Sequence, residues 1–554
     1  MKNQVIVVGA GLAGLSATIT LAEAGKKVVL ISSLKAERVQ SVMAEGGINA
    51  ALDTKGEADS PEQHLVDTLA GGCDLADAQA VRGLVQSAPG IVRWLADLGV
   101  VFNRDENGEL DLRNFGGQKK KRTAFARSGT GKQIVTALTQ AVQKYESEGL
   151  VEVHHQHCFV RLVQDAESTC LGCVVMDKYS DELSSFTGEA VIIASGGFHG
   201  IFGRTTGSVR NYGAVSAALF RAGVPMANLE FTQYHPTTGN NVGKRMLITE
   251  ATRGEGGRLF VFREDGSKRY FMEEKYPELG NLMPRDVVAR NIWQFNNHPK
   301  GRQEVYLDLT HLSDEVLEKK LADTVEDCKQ YFRLDPKTDY IPVEPGLHYF
   351  MGGIHVDRGH RAGLKGLYAA GECCCQYHGA NRLGGNSLLG AIYGWITAAQ
   401  SVIADGNELP SDVASHVTHT LREIEEDIHI LTKHAKTNTP LPVLIIQFSQ
   451  AMYGSLGVIR SGERLNAGIA KVNALISEQV QENYDPTSGL YDNLMLLYRF
   501  LFGRAVMESA LNRQESRGAH YRVDFQNRDD GHFQKTSIIR FVDGEVVVSL
   551  EEIS

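Results

Sequence analysis

The stretch HGANRLGGNS at residues 378–387 combines cationic and hydrogen-bonding side chains with three glycines. Its polar members include His378, Asn381 and Arg382. Glycine weakens a regular helix or strand, so glycines beside an arginine favour a place where a ligand comes close to the backbone. The pattern therefore predicts a site for a small anion, a cofactor, or both.

Four other stretches are also rich in cations and hydrogen-bond donors: QYHPT with His235, LITEATRGEGG with Thr249, Glu250 and Arg253, MPRDVVAR with Arg285, and GLHYFMGG with His348. Arginine offers a planar fork that fits a carboxylate, and histidine and threonine add single bonds that set orientation. Any one of these residues alone would more often be a surface ion pair or a satisfied core histidine. Together they suit a substrate with a carboxylate at each end and would polarise a double bond between the two.

The N-terminal segment predicts a nucleotide-binding βαβ unit. Residues 4–8 form an apolar run, GAGLAG follows at once, and a helix of about twelve residues leads to a second strand, KKVVLIS. Gly9, Gly11 and Gly14 match the G-x-G-x-x-G pattern, in which a pyrophosphate lies on the helix N-terminus. The acidic residue that usually ends the second strand is absent, because Ser32 and Ser33 stand there. Hydroxyl groups would therefore meet the ribose.

Two later segments resemble further strands of the same domain. They are EAVIIASGG at 189–197 and GLKGLYAAGE at 363–372, each a short apolar run that leads into small residues. One domain is therefore interrupted by an insertion at about 230–345. Beyond residue 406, one face of an amphipathic helix is marked by Val413, Val417, Leu421, Ile424, Ile428 and Leu431. Four histidines lie on and around this helix and are expected to be solvated: His416, His419, His429 and His434. The tail TSIIRFVDGEVVVSL predicts a hairpin about Asp543 and Gly544.

Composition excludes several classes of protein. The chain of 554 residues is 42% hydrophobic and 22% charged, with a formal charge of −10, which argues against a general nucleic-acid binder. No apolar run approaches the length of a membrane helix. The N-terminus has only Lys2 as a basic residue and glycines in its apolar part, so a signal peptide is not expected.

The cysteines and one histidine tract predict no metal site. The eight cysteines form no disulfide framework and favour a reducing compartment. Cys170 and Cys173 have the spacing of a redox or zinc pair, but they have no second pair and lie in a strand-like apolar stretch, which favours two small residues of a hairpin. The HHQH tract at 154–157 is interpreted as one strand with its histidines on different faces.

The motifs resemble, in order, those of the flavoprotein subunits of fumarate reductase and succinate dehydrogenase. The resemblance rests on the glycine-rich start, AEGGINAAL, QYHPT, TEATRGEGG, PRDVV, HYFMGG, AAGE, HGANRLGGNS and ESRGAHYRVDFQNRDD. L-aspartate oxidase is similar over the first three quarters of the chain. The implied fold is α/β: an FAD-binding Rossmann-like domain (1–229 and 346–405) interrupted by an α+β capping domain (230–345), followed by a helical domain (406–520) and a small C-terminal β region (521–554).

The resemblance implies FAD as the cofactor, extended across the nucleotide domain with its flavin ring beneath the capping domain. The implied cofactor-binding residues are Gly9, Ala10, Gly11, Gly14, Ser32, Ser41, Ala44, Gly46, Gly47, Glu372, Ser387 and Leu388. Many relatives carry a histidine that links covalently to the flavin, and Gln40 stands at that position. We therefore predict non-covalent FAD. The stretch NYGAV at 211–215 also differs from the T-G-D-G that relatives usually have, with Ala214 in place of the acid.

The same resemblance implies the residues that bind and reduce the substrate. His235, Thr249, His348 and Arg382 match carboxylate ligands, with Phe115 beside them. Arg285 matches a general acid, and Glu250 and Arg253 match its proton relay. An arginine acid is unusual because its pKa is so high, so the relay must reprotonate it.

The expected activity is the interconversion of fumarate and succinate by hydride transfer with FAD, with fumarate reduction favoured because a covalent link, which tends to raise the flavin potential, is absent. The implied partners are a separate iron-sulfur subunit and, through it, a quinone-binding membrane anchor, with the chain cytoplasmic or peripheral on the cytoplasmic face. L-aspartate oxidase, a reductase of another unsaturated acid, and a catalytically silent flavin protein remain alternatives. An RNA-modifying flavoprotein fits poorly with the acidic charge.

Overall fold

The structure is a computed structural model that describes residues 4–127, 129–241, 244–299, 301–433, 439–480 and 484–553. Its first sheet is parallel and draws strands from separate parts of the chain. In spatial order the five strands are Leu367–Ala369, Ala190–Ile193, Gln4–Val8, Lys27–Ser32 and Val151–His155. The predicted βαβ unit and both predicted later strands are thus confirmed in one sheet. Their apolar residues are almost fully buried, as expected for a parallel sheet covered on both faces.

The helices Leu12–Glu23, Thr130–Ser147 and Asn386–Asp405 contact this sheet, Ala78–Asp97 packs on Asn386–Asp405, and Pro61–Gly71 packs on Ala78–Asp97. By length and composition, Asn386–Asp405 is apolar enough to cross a membrane, which the expectation of no apolar run of that length did not anticipate. Half of its apolar window is buried, and the helix packs against Leu12–Glu23 and Ala78–Asp97. Its apolar side chains therefore contribute to the protein core.

The HHQH tract is divided between two strands, so the expected single strand was wrong. Val151–His155 ends just before Gln156, whose φ of +67° turns the chain, and His157–Gln164 belongs to a second sheet. That sheet is antiparallel and continues through Cys170–Asp177 and Leu183–Thr187. Cys170 and Cys173 lie buried on its middle strand as free thiols, as the hairpin interpretation predicted.

A six-stranded antiparallel sheet forms the insertion. In spatial order its strands are Lys244–Leu247, Thr232–Asn241, Ile341–Phe350, Val305–Asp308, Arg258–Phe262 and Lys268–Arg269. Its helices are Ala251–Gly254, Phe271–Lys275, Arg285–Asn296 and Ala322–Asp327, with π-helical turns at Val316–Lys320 and Cys328–Phe332. The predicted boundary at residue 345 falls inside the strand Ile341–Phe350, which carries the chain directly back towards the first sheet.

Four long helices follow: Val413–Lys433, Leu441–Ser455, Gly462–Val480 and Leu490–Asn512. The first is the predicted amphipathic helix, and its apolar face packs on the second sheet. His419 and His429 are exposed on it and His416 is partly exposed, while His434 lies outside the described residues.

The predicted C-terminal hairpin is confirmed as Thr536–Val542 and Glu545–Glu551, with Asp543 and Gly544 at positive φ between them. It joins Met226–Ala227, Gly353–His355 and Cys374–Cys375 in one five-stranded sheet, so the end of the chain pairs with segments near the insertion. The remaining short elements are strands Ile48–Asn49, Leu112–Arg113 and Thr123–Ala124, helices Ala214–Arg221 and Asp530–Phe533, and 3-10 turns Ala36–Arg38, Gln40–Met43, His199–Ile201, Gly280–Leu282 and Gly371–Cys373.

Candidate active site

One cavity of about 740 Å³ brings most of the predicted site residues together. It extends from the glycine loop after the first strand to the polar side chains of the insertion. Of the predicted residues, its lining includes Gly9, Ala10, Gly11, Ser32, Ser41, Ala44, Gly46, Gly47, Phe115, His235, Thr249, Glu250, Arg285, His348, Glu372, Arg382, Ser387 and Leu388. Gln40 and Ala214 line it as well. Gly14 and Arg253 are not part of the lining.

The glycine loop leaves room for a bulky anionic group at the N-terminus of helix Leu12–Glu23. Gly9 has a φ of +121°, and a Cβ there would come within 2.2 Å of the Ala194 carbonyl oxygen. A Cβ on Gly14 would lie 1.7 Å from the Gly9 carbonyl oxygen, so this glycine lets helix and strand pack closely. Gly11 has no side chain that could cap the helix, and the Leu12 amide donates to Ser41 Oγ at 3.2 Å. The loop therefore has the shape that the pyrophosphate of FAD requires at a helix N-terminus.

Two arginines at the other end of the cavity, Arg285 and Arg253, are held around one carboxylate. Arg285, the first residue of helix Arg285–Asn296, donates from Nε and Nη2 to Glu250 Oε2 at 2.8 and 2.6 Å. Arg253 donates from Nη2 to the other oxygen, Glu250 Oε1, at 3.0 Å. Glu250 and Arg253 lie one turn apart because the short helix Ala251–Gly254 connects them. The three side chains form an unbroken chain of hydrogen bonds that ends at the cavity.

Burial and ion pairing act in opposite directions on Glu250. Burial disfavours its charge, but Arg285 and Arg253 outweigh that effect and lower the Glu250 pKa to about 2. Burial lowers the pKa of Arg253, and Glu250 opposes that change. Glu250 is therefore ionised at neutral pH and can accept and pass on protons only through its arginine partners.

Gln233 links the cations but was not singled out from the sequence. Its Oε1 accepts hydrogen bonds from Arg285 Nη1 and Arg382 Nη2, both at 3.1 Å, and its Nε2 donates to Asn381 Oδ1 and to the Arg382 carbonyl, both at 2.8 Å. The residue lies two positions before His235 on the strand Thr232–Asn241. Side chains two apart on a strand share a face, so the spacing in QYHPT could have indicated it.

The two predicted histidines meet on neighbouring strands. The rings of His235 and His348 lie 5.1 Å apart, edge to face. Nδ1 of His348 is 2.8 Å from Thr206 Oγ1, and Nδ1 of His235 is 3.0 Å from the Thr237 carbonyl oxygen. Burial, and then the charge of Arg285, lower the pKa of both rings well below 6.5. Both side chains are therefore neutral hydrogen-bonding groups.

The loop 378–387 holds one cation at the cavity and ties it to the insertion. Arg382 is 3% exposed, and within the described ranges no carboxylate lies within ion-pairing distance of it. Asn381 donates to Asp286 Oδ1 at 3.0 Å as well as accepting from Gln233. Burial, and then Arg285, lower the Arg382 pKa to about 9. The loop thus presents a cation that is free to pair with an anion.

Phe115 and Glu372 also line the cavity. The Phe115 ring lies against two glycines, since a Cβ on Gly46 or Gly384 would lie 3.2 or 3.1 Å from a ring atom. Glu372 Oε1 accepts from the Phe350 amide at 3.1 Å and lies 3.2 Å from His199 Nε2. The His199 contact was not predicted, because nothing in GGFHGIF distinguishes that histidine from a core residue.

The helical region also lines the cavity, which sequence reasoning missed. Asp492 accepts from the Tyr212 hydroxyl and from Arg499 Nη2, both at 2.7 Å, beside Ala214. Arg499 is 4% exposed and its Nε has no partner within the described part of the chain. Charged residues inside the long helix Leu490–Asn512 carry no glycine or motif that would mark them.

Comparison with known proteins gives matches over nearly the whole chain. The family described as FAD binding domain matches residues 4–388, and that described as Fumarate reductase flavoprotein C-term matches 446–554. The succinate dehydrogenase flavoprotein subunit of Bacillus subtilis is 39% identical, over 98% of this chain and 94% of that protein. A solved structure of the E. coli quinol fumarate reductase superimposes with a TM-score of 0.90 at 30% identity, covering 100% of this chain and 96% of the other. These matches support FAD as the cofactor.

An L-aspartate oxidase of Streptomyces coelicolor is 33% identical, over 97% of this chain and 91% of that protein. The expectation that similarity to such oxidases stops after three quarters of the chain was therefore wrong. The helical and C-terminal regions, which carry fewer motifs, are shared as well.

Proposed function

The chain belongs to the family of fumarate reductase and succinate dehydrogenase flavoproteins, and on that premise we propose that it interconverts fumarate and succinate, with fumarate reduction favoured. It is an FAD-dependent oxidoreductase of that family. The observation that carries the proposal is the pair of guanidiniums, Arg285 and Arg382, that both donate to Gln233 Oε1 at one end of the cavity. Arg382 there has no carboxylate partner of its own in the described ranges, as expected for a ligand of a substrate carboxylate.

Arg382, His235, His348 and Thr249 would hold the two carboxylates. Arg382 supplies a charge and a planar fork, whereas the neutral histidines supply single hydrogen bonds that fix the angle of each carboxylate plane. Phe115 is buried and gives the carbon–carbon bond an apolar neighbour. This arrangement keeps water away from the bond to be reduced and fixes its orientation.

Bound FAD, when reduced, supplies a hydride to one alkene carbon. Arg285 would deliver the proton to the other carbon, because its guanidinium lines the cavity and is anchored by two hydrogen bonds to Glu250. Glu250 would then pass a proton from Arg253 back to Arg285 along the hydrogen bonds described above. One hydride and one proton added to fumarate give succinate.

We also propose that FAD is held without a covalent bond. The support is that Gln40 lines the cavity at the predicted linking position and its amide cannot form the bond that an imidazole forms. Denaturing the holoprotein in acid and centrifuging it should release all flavin into the supernatant. Yellow colour that stays with the precipitated chain would contradict this.

The proposed electron path leads through a separate iron-sulfur subunit to a quinone-binding membrane anchor, which would hold the chain peripherally on the cytoplasmic face. The support is the similarity to the quinol fumarate reductase structure. Co-purification of an iron-sulfur protein with the tagged chain from its native host would test this assembly.

The catalytic proposal is tested on the purified holoprotein. Its flavin is bleached with dithionite without air, and fumarate is added. Return of the flavin absorbance is expected, with succinate as the product. In parallel, oxidised protein is mixed with L-aspartate, and bleaching by aspartate would move the assignment to an aspartate oxidase. Failure of fumarate to restore the absorbance would overturn the proposal.

A further inference from the structure

Arg382 is an unusually under-satisfied buried cation. Nη2 donates to Gln233 Oε1 at 3.1 Å, Nη1 reaches the Leu383 carbonyl at 3.5 Å, and Nε has no partner among the described residues. Burial disfavours such a charge unless something compensates it. The compensation on one side is aromatic, since the guanidinium carbon lies 4.3 Å from the ring centroid of Tyr349.

Tyr349 stabilises this cation without neutralising it. The residue follows His348 on the strand Ile341–Phe350, is 8% exposed and lines the cavity. Burial raises its phenol pKa well above 10, so the ring stays uncharged at neutral pH. The electron-rich face of a neutral ring attracts a guanidinium, while a carboxylate in the same place would pair with Arg382 and compete with a substrate anion.

His378 holds the other end of this tyrosine. Its Nε2 lies 3.2 Å from the Tyr349 hydroxyl, and the two rings meet edge to face with centroids 5.4 Å apart. Helix Asn386–Asp405 closes over the imidazole at Gly390, where a Cβ would lie 3.2 Å from the ring. Burial, and then Arg382, lower the His378 pKa to about 3, so it too is neutral. The ring of Tyr349 is thereby fixed at its hydroxyl while its face stays against Arg382.

We propose that Tyr349 and His378 are positioning residues that hold Arg382 as an oriented, unneutralised cation for the second carboxylate of the substrate. The inference rests on the proposed function, because Arg382 is the substrate ligand there. It also explains the polar members of the loop 378–387: Arg382 faces the cavity, Asn381 fixes the loop to Gln233, and His378 fixes the aromatic support of the cation.

The pH dependence of anion binding separates this role from simple packing. Burial and then Arg285 lower the Arg382 pKa, and the neighbouring titratable groups Tyr349, Glu372 and Glu250 raise it. Binding of a dicarboxylate needs charged Arg382 and is lost as the pH rises through the Arg382 pKa. Removal of the aromatic face destabilises the cation, so this loss should move to lower pH. A residue that only fills space would not move it.

The test uses FAD-loaded wild type, Tyr349→Phe, Tyr349→Leu and the control Tyr368→Leu. Tyr368 is also a buried tyrosine, and its hydroxyl donates to Asp405. Malonate, a dicarboxylate that cannot be reduced, is titrated while the flavin spectrum is followed, and KM and kcat are measured for fumarate with a reduced dye. Tyr349→Leu should weaken malonate binding and raise KM by on the order of tenfold, the size of a desolvated cation–π contact, with a smaller change in kcat.

Tyr349→Phe keeps the ring and loses only the contact to His378, so its change should be smaller, and Tyr368→Leu should bind malonate as wild type does. If Tyr349→Leu does not retain FAD, Tyr349→Met replaces it under the same criteria. The inference would be overturned if FAD-loaded Tyr349→Leu bound malonate with wild-type affinity and lost it at the same alkaline pH as wild type. It would also be overturned if Tyr368→Leu weakened malonate binding as much as Tyr349→Leu does. If the wild-type protein neither bound malonate nor had its reduced flavin reoxidised by fumarate, the proposed function on which this inference rests would be overturned instead.

Discussion

Two groups of buried arginines differ in how many of their side-chain nitrogens have a hydrogen-bond partner. The cavity arginines are Arg285 and Arg382, which line the cavity, together with Arg253, which pairs with Glu250 behind the lining. The C-terminal arginines are Arg460, Arg513, Arg517 and Arg522, and all seven are at most 6% exposed. Arg513 donates from Nε to Glu230, from Nη1 to Glu515, and from Nη2 to the Ser537 hydroxyl. In the described chain no C-terminal arginine has a buried nitrogen without a partner, whereas Arg253 and Arg382 each have one.

This difference distinguishes Arg382 from the C-terminal arginines. The C-terminal arginines lie outside the cavity lining and join segments of the chain, here the end of helix Leu490–Asn512 to Glu230 and to the Phe533 and Lys535 carbonyls. Arg285 also has a partner at every nitrogen, and its place in the cavity lining is what assigns it to the site. A cation that lines a cavity with donors to spare is ready for an anion. From sequence alone the two groups look alike, since both are arginines in glycine-containing motifs.

The largest expected difference between the two groups is that between Arg285→Ala, which should lose activity, and Arg513→Ala, which should lose stability. Loss of a positioned proton donor typically costs about 100- to 10,000-fold, so Arg285→Ala should lose fumarate reduction by that factor while it keeps FAD. Turnover and flavin content per chain are the measurements. Arg258→Ala is the control, because Arg258 is a half-exposed arginine of the same insertion, paired with Glu273. Near wild-type turnover in Arg285→Ala would refute its role as acid.

Arg513→Ala should instead lower stability. Glu230 and Glu515 would remain as buried carboxylates without their shared cation, and breaking such a pair typically costs about 3–5 kcal/mol. Chemical denaturation of the FAD-loaded variant measures the change in the free energy of unfolding. The folded fraction of the variant molecules should keep a wild-type KM for fumarate. An unchanged unfolding midpoint together with a raised KM would place this arginine with the cavity group.

The sequence indicated the nucleotide-binding βαβ unit and the polar clusters that meet at the cavity because each depends on residues close together in the chain, and the family resemblance supplied the roles of individual residues. The run Gln4–Val8 is directly followed by its glycines. Each of the motifs around His235, Arg285 and Arg382 is likewise a run of neighbouring residues. Contacts such as Gln233 with Arg382, Tyr349 with His378, or Arg499 with the cavity join residues far apart in sequence. No periodicity records them, and Gln156 shows that even a local strand can be broken by one residue at positive φ.

Arg499 extends the comparison to the far end of the cavity. Its unpartnered Nε and its place in the lining put it with the ligand-binding arginines, so we predict that it contacts FAD. Arg499→Leu should weaken FAD binding by about tenfold, the loss expected for a hydrogen bond to a charged group. Fluorescence quenching of free FAD by apoprotein measures it. Arg504→Leu on the same helix, where Arg504 is paired with Glu508 and Glu545, should bind FAD as wild type does.

The smallest expected effect concerns buried histidines, which lie beside both groups of arginines. Burial is the main cause that lowers the pKa of His235, His348 and His520 well below 6.5, with arginines adding to it. The unfolded chain takes up protons at these residues near pH 6.5 and the folded chain does not. Their contribution to stability is therefore fully present above pH 6.5 and is lost as the pH falls below it.

Substrate binding should not follow that stability change. Because His235 and His348 are already neutral, malonate affinity should vary by less than about threefold between about pH 6 and 8, while the unfolding midpoint falls at the acidic end. Flavin-monitored titrations and thermal unfolding of the same samples measure the two quantities side by side. A marked tightening of malonate binding at the lower pH would mean that a cavity histidine becomes a cation there, and the neutral hydrogen-bonding role derived from the burial of these rings would be wrong.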